Sequence, residues 1–217
     1  MKTLIILVAV GLPAFADLLT FPDSVCSANS DGSGAFTTCS DYSFINQAYG
    51  DTADATVTYI DKINTGQSLR WWATGYNDLP TAVWGGNGDG TGQSWDRIQI
   101  TPNGNLSVTL NGFDLGAYNM TQRFTDLQIL DAVTGSVLVD YGTQLIGAGN
   151  TATHFSPDVS SPDGIAIEWK DTGYNVGIDN IDFSVSGGTV PEPAAYVPVA
   201  LLLAGLAISR WRTCKAS

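Results

Sequence analysis

The chain has 217 residues, with 9 basic side chains, 21 acidic ones and a single histidine, for a formal net charge of −12. A surface of that sign repels nucleic acid and anionic lipid headgroups, so nucleic-acid binding is excluded and an extracellular setting is favoured. Glycine, threonine and asparagine are abundant and no long stretch carries helical periodicity, which points to a β-rich body.

Met1-Lys2-Thr3, the apolar run Leu4–Leu12 and the small-residue segment Ala14-Phe15-Ala16 have the three regions of a secretory signal peptide. Residues 1–16 are therefore expected to be removed, leaving Asp17 first. Export places the body in an oxidising compartment, where Cys26 and Cys39 form an even pair once Cys214 is assigned to the tail. The stretch around them is rich in Ser, Asp, Gly and Thr and cannot hold its shape by burial alone. A bridge closing this loop would stabilise by about 3 kcal/mol. The neighbourhood offers no histidine, which argues against zinc.

Residues 17–186 read as one domain with no internal repeat. The clearest strand runs are Ala55–Ile60, Ser68–Ala73, Ser94–Ile100, Leu106–Leu115, Thr125–Leu130, Ser136–Tyr141, Ile165–Trp169 and Asn175–Val185. Turn chemistry separates them at Asn103-Gly104-Asn105, Thr134-Gly135, Pro162-Asp163-Gly164 and Thr172-Gly173. Gln128–Val139 reads as a hairpin. Regular strands without helices predict an all-β fold, a single jelly-roll-like β-sandwich.

Aromatic rings stack on sugars, so Trp71, Trp72, Tyr76, Trp84 and Trp95 are candidates for a carbohydrate platform, although alternation puts Trp71 and Trp72 on opposite faces. The loop Gly85–Gly92 has neither the terminal glutamate of an EF-hand nor the Gly-Lys-Ser/Thr of a P-loop. Catalysis has little support. The one histidine is His154, no Gly-x-Ser-x-Gly elbow is present, and a serine triad would have to rest on His154 and an unmarked serine. A glycosidase pair finds only Glu168 and Glu192 as glutamates. No enzymatic activity is expected.

In the last strand, Val176–Val185, alternation puts Ile178, Asn180, Asp182 and Ser184 on one face and Asp179, Ile181, Phe183 and Val185 on the other. Asp179 then needs a partner to offset its desolvation. The stretch resembles the closing strand of galactose-binding-like and related carbohydrate-binding jelly rolls, where an Asp-Asn or Asp-Asp pair precedes the final apolar alternation. That resemblance implies a neighbouring structural calcium site, with Asp179 as its first ligand and Asp41 or Asp51 as companions.

The tail carries the most specific signal. Gly187-Gly188-Thr189 leads into Val190-Pro191-Glu192-Pro193, then an uncharged run over 194–209, then Arg210-Trp211-Arg212-Thr213-Cys214-Lys215 within the basic tail 210–217. Sixteen helical residues span about 24 Å, a thin but workable transmembrane helix with Tyr196 and Trp211 at the interfaces. The basic residues behind it place the C-terminus in the cytoplasm. This arrangement resembles the PEP-CTERM sorting signal of bacterial exported proteins. The resemblance implies recognition by an exosortase, a membrane transpeptidase, with cleavage near Pro191–Pro193 and delivery to the cell surface or the exopolysaccharide matrix. The tail departs from the pattern in lacking an unbroken arginine cluster. Ile45–Asp51, Trp71–Leu79 and Leu110–Gly116 also resemble segments of such proteins. Removing Lys2 with the leader and Arg210, Arg212 and Lys215 with the tail leaves five basic against 21 acidic side chains, a net charge of −16.

The expected role is a non-catalytic binding or structural module outside the cell, with extracellular polysaccharide as a partner. A calcium-dependent lectin-like domain is the first alternative and a secreted hydrolase the second.

Overall fold

The computed structural model describes residues 15–86, 95–170 and 175–187. The leader up to residue 14, the glycine-rich loop from residue 87 and the Val190–Pro193 motif lie outside the described residues. So do the apolar span and the basic tail with Arg210 and Arg212. The chain divides into two units between Ser186 and Gly187, and the first is the body treated below. Among the described residues no helix is long and apolar enough to cross a membrane; the span expected over 194–209 is not among them.

The body is all-β. In chain order its strands are β1 (Phe15–Leu19), β2 (Cys26–Ser27), β3 (Phe36–Thr37), β4 (Phe44–Ile45), β5 (Ala55–Ile60), β6 (Arg70–Trp72), β7 (Ala82–Trp84) and β8 (Trp95–Pro102). They continue with β9 (Leu106–Ala117), β10 (Arg123–Asp131), β11 (Val137–Ile146), β12 (Thr153–Phe155), β13 (Val159–Ser161), β14 (Ile165–Lys170) and β15 (Val176–Gly187). One sheet runs β11-β10-β14-β8-β5. The other runs β12-β9-β15-β7-β6-β4-β2-β3, with β1 added to β15 and β13 to β9.

Alternation explains why each run becomes a strand. In β8 the side chains of Asp96, Ile98 and Ile100 are buried while Trp95, Arg97 and Gln99 are only partly covered. In β5 the buried set is Ala55, Val57 and Tyr59. β14 sits between β10 and β8 and is buried along Ile165–Trp169, the run of a strand covered on both faces. The inward side chains of both sheets meet in one apolar cluster. Ile98, Ile129, Ile167 and Trp169 come from the first sheet, and Val83, Leu110, Phe113, Ile181 and Phe183 from the second. That shared core makes the fold a β-sandwich.

The eight runs expected from the sequence all form strands, and Gln128–Val139 is a hairpin. Its turn is held by Asp131, whose Oδ1 accepts the amides of Val133 and Thr134 and the Thr134 hydroxyl. At the predicted turn Pro162-Asp163-Gly164, Gly164 has φ +88° and an added Cβ would collide with the Ile100 carbonyl, so only glycine fits.

Cys26 and Cys39 are joined by a disulfide with Cα atoms 5.2 Å apart. Cys26 lies in β2 and is fully buried, so the bridge ties the small strands of the N-terminal loop to the core. Replacing both cysteines by serine is expected to lower the unfolding free energy by about 3 kcal/mol. Urea denaturation of the oxidised full-length chain and the double variant checks this. Superimposable curves would contradict a structural role for the bridge.

Candidate functional site

The site grows from an irregularity in β15. Val176 and Ile178 bury their side chains in the shared core, and so do Ile181, Phe183 and Val185. Strict alternation cannot place Ile178 and Ile181 together. Asn180 resolves the conflict: its φ of 52° is left-handed, which uses up one position and resets the phase. The expected grouping of Ile178 with Asn180, Asp182 and Ser184 is thereby corrected. Ile178 belongs with the core set, and only the latter three face away from it.

At the same point one edge of β15 changes partner. β7 pairs with it at Ile178↔Val83, and β1 takes over along Leu19↔Ile181 to Phe15↔Val185. Asp179 occupies the changeover with 0% exposure. Its carboxylate accepts the Thr81 hydroxyl (3.3 Å), the Asn180 amide (2.8 Å) and the amide of Phe21. Thr81 precedes β7 and Phe21 follows β1, so one carboxylate stitches together the strand ends that would otherwise leave donors unmet. Burial pushes Asp179 up to about 6; the hydrogen bonds pull the other way, and the nearby Asp114 adds a small upward push.

The Asn180 side chain continues outward. Its Nδ2 donates to Asp114 Oδ2 at 2.8 Å. Asp114 lies in β9, which also resets its phase: Leu110 and Phe113 are both in the core, with Asn111 and Gly112 between them. Asp114 Oδ1 is 2.7 Å from Nδ1 of His154, its cross-strand partner in β12. His154 Nε2 is 3.1 Å from Ser156 Oγ. A carboxylate can only accept, so Nδ1 carries the proton in the neutral ring, Nε2 is the acceptor and Ser156 is the donor. Gly112 clears the space. A Cβ there would come within 3.0 Å of His154 Cε1 and 3.2 Å of Nε2.

The result is a hydrogen-bonded line, Asn180–Asp114–His154–Ser156, crossing three strands on the face of the sheet opposite the core. The Asp114 side chain is 21% exposed and that of His154 is 63% exposed. Beside it Asn111 Nδ2 donates to Asp182 Oδ1 (3.0 Å) and the hydroxyls of Thr109 and Ser160 are 2.6 Å apart. The face is thus a stripe of hydroxyl, amide and carboxylate groups.

The residues singled out from sequence fall elsewhere. Asp41 accepts the Ala73 amide at 2.9 Å, tying its loop to the chain just after β6, and Asp51 accepts the Val57 amide at 2.8 Å, holding its loop to β5. Neither is brought into a ligand cluster with Asp179, and among the described residues no group of three or more His, Cys, Asp or Glu is arranged to hold a metal ion. Trp71 is buried in the core, its Nε1 donating to the Phe21 carbonyl at 2.8 Å. Trp72 points the other way, as alternation required. Tyr76 and Trp84 are buried in a second cluster against which Trp72 packs. The rings meet edge-on, Trp72–Trp84 at 70° and Trp72–Tyr42 at 86°, so these four residues do not make a coplanar exposed platform. Glu168 is paired with Lys62 (2.7 Å) and with Arg97. The sequence alone does not bring Asp114, Asn180 and Ser156 together. The readable signal was the pattern His154-Phe155-Ser156, which puts a histidine and a serine on one face of any strand.

None of the protein-family models, curated proteins or solved structures compared matches this chain.

The raised Asp179 has a signed consequence. Its folded-state affinity for a proton exceeds the unfolded one, so the stability it contributes is full below about pH 4 and is lost as pH rises through about 6. The whole change is about 3 kcal/mol. Asp179→Asn stays neutral and lacks this slope. Asp31, Asp126 and Asp131, held low by hydrogen bonds from Ser33, Thr143 and Ser161, titrate alike in both proteins and cancel. Denaturation of both full-length chains across this range is expected to show the wild type losing stability relative to the variant as pH rises. Parallel curves would refute the buried, proton-binding carboxylate.

Proposed function

We propose that this chain is an exported protein, sorted by an exosortase-type membrane transpeptidase through Val190-Pro191-Glu192-Pro193 and delivered to the cell surface or extracellular matrix. There its β-sandwich serves as a binding or structural module. The observation that carries this reading is the pairing of a leader at residues 1–16 with a proline-bracketed motif, an apolar span and a basic end at 190–217. Three features of the body support it. The Cys26–Cys39 bridge suits an oxidising compartment. Cleavage after Ala16 would leave Asp17–Leu19 to pair with Ile181–Phe183, so the mature chain would keep the edge strand it needs. β15 ends at Gly187, where the linker to the motif begins.

Within this reading the sandwich is of the jelly-roll, galactose-binding-like type, and its partner is a matrix polysaccharide. The polar stripe on β9, β12, β13 and β15 supports that partner, because it offers hydroxyl, amide and carboxylate groups to sugar hydroxyls. The edge-on packing of Trp72 and the burial of Trp71, Tyr76 and Trp84 argue against aromatic stacking as the means of recognition. A structural calcium is not required by Asp179, whose oxygens are met by three donors. The net charge of −16 argues against nucleic acid and against direct binding to anionic membranes.

Co-expression of the full-length chain with an exosortase in a bacterium that lacks its own tests the proposal. Mass spectrometry of the terminal peptides is expected to find Asp17 at the N-terminus and loss of residues 194–217, with Glu192→Ala or Pro193→Ala retaining the tail. A product with both ends intact would overturn it, as would tail loss that ignores the exosortase and both substitutions.

A further inference from the structure

We propose that Ser156, His154 and Asp114 form a nucleophilic site that transfers acyl groups from esters carried on a hydroxylated polymer. The inference goes beyond delivery to the cell surface and does not depend on it. Its ground is geometric. A serine hydroxyl, an imidazole and a carboxylate stand in a row with separations of 3.1 and 2.7 Å, the carboxylate on Nδ1 and the hydroxyl on Nε2. These are three of the roles acyl transfer uses: a nucleophile, a base to take its proton, and a group that fixes the tautomer of that base.

Each role is supported by the strands that carry it. His154 and Ser156 are two residues apart and lie on the same side of the chain, with Phe155 between them turned into the core. Asp114 lies directly across from His154 in the ladder. It is held from the other side by Asn180, whose left-handed backbone aims its amide at Oδ2. Gly112 leaves the imidazole unobstructed, since any side chain there would press on Cε1 and Nε2. Asn180 and Asp114 are positioning residues; Ser156 and His154 are the ones that would touch substrate.

The chemistry closes without a cofactor. Ser156 Oγ forms a bond to the ester carbonyl carbon while its proton passes to His154 Nε2. The tetrahedral intermediate collapses, the carbon–oxygen bond to the leaving alcohol breaks, and that alkoxide takes the proton from Nε2. Water then attacks the acyl-serine with His154 again as base, releasing the carboxylic acid and restoring the hydroxyl. Asp114 stabilises the transient imidazolium in both halves.

The surroundings select the substrate class. The imidazole is 63% exposed on an open sheet face, so an ester presented along a polymer can reach it. The Asn111–Asp182 and Thr109–Ser160 pairs extend the stripe beside it and offer hydrogen bonds to repeated hydroxyls. Small esters on a polysaccharide fit both features.

A fluorophosphonate probe tests this on the full-length chain. The Ser156 oxygen would displace fluoride from phosphorus, with His154 taking the proton, and peptide mapping reads where the adduct forms. The expected result is a single adduct on Ser156. His154→Ala, at an exposed position, should slow its formation about 100-fold, the scale of general-base catalysis, and Asp114→Asn about tenfold or more. Thermal melting and the intact Cys26–Cys39 bridge verify that each variant is folded. Absence of a Ser156 adduct, or an adduct formed equally fast in folded His154→Ala, would overturn the proposal.

Discussion

One strand in this sandwich has to do the work of a hinge between several others, and the constraint falls on two adjacent residues. β15 is flanked by β9 on one side and by β7 and then β1 on the other. A single extended strand cannot change partner without leaving backbone donors unmet at the changeover. Asp179 accepts the amides of Phe21, just after β1, and of Asn180, and takes a further hydrogen bond from the Thr81 hydroxyl just before β7. Asn180 absorbs the extra residue in a left-handed conformation that asparagine tolerates better than most side chains. A fully buried carboxylate is costly, and here the cost is offset by closing the sheet at the one place where regular pairing fails.

The same two residues link the core to the opposite face. The phase reset lets Ile178 and Ile181 both reach the interior while Asn180 turns outward to Asp114. β9 repeats the device at Asn111 and Gly112, which keeps Leu110 and Phe113 in the core and brings Asp114 into line with His154. Two irregularities in neighbouring strands therefore act together, one supplying the group that steadies a carboxylate and the other supplying the carboxylate. Regular alternation would turn one of Ile178 and Ile181, and one of Leu110 and Phe113, away from the core and would not bring these polar groups into one line. That coupling is why we read the line as a site.

Much of the architecture was legible in the sequence because long strands carry their own signal. Ala55–Ile60 alternates cleanly, Ile165–Trp169 is a continuous apolar run, and Asp131 with Thr134-Gly135 marks a hairpin turn. The short strands were not legible: two or three residues such as Cys26–Ser27 or Thr153–Phe155 show no period and exist only because a neighbour pairs with them. The position of Asp179 as a buried carboxylate in need of partners was readable, but its partners were not, since Phe21 and Thr81 are distant in the chain. The site failed for the same reason. Asp114 and His154 are 40 residues apart, and their meeting depends on the register of the β9–β12 ladder. The aromatic platform failed differently. Alternation correctly split Trp71 from Trp72, yet nothing in the sequence tells whether a tryptophan on the far face is covered by others, as Trp84 and Tyr76 are.

Asp114 fixes His154 with its proton on Nδ1 and leaves Nε2 to accept from Ser156. A chain with one histidine allows that to be read without assignment ambiguity. Nitrogen-15 NMR of the full-length chain labelled at histidine distinguishes the two neutral tautomers by the shifts and couplings of the ring nitrogens. The Nδ1-protonated form is expected in the wild type, and its loss in Asp114→Asn. A ring protonated on Nε2, or one indifferent to the removal of the Asp114 charge, would contradict it.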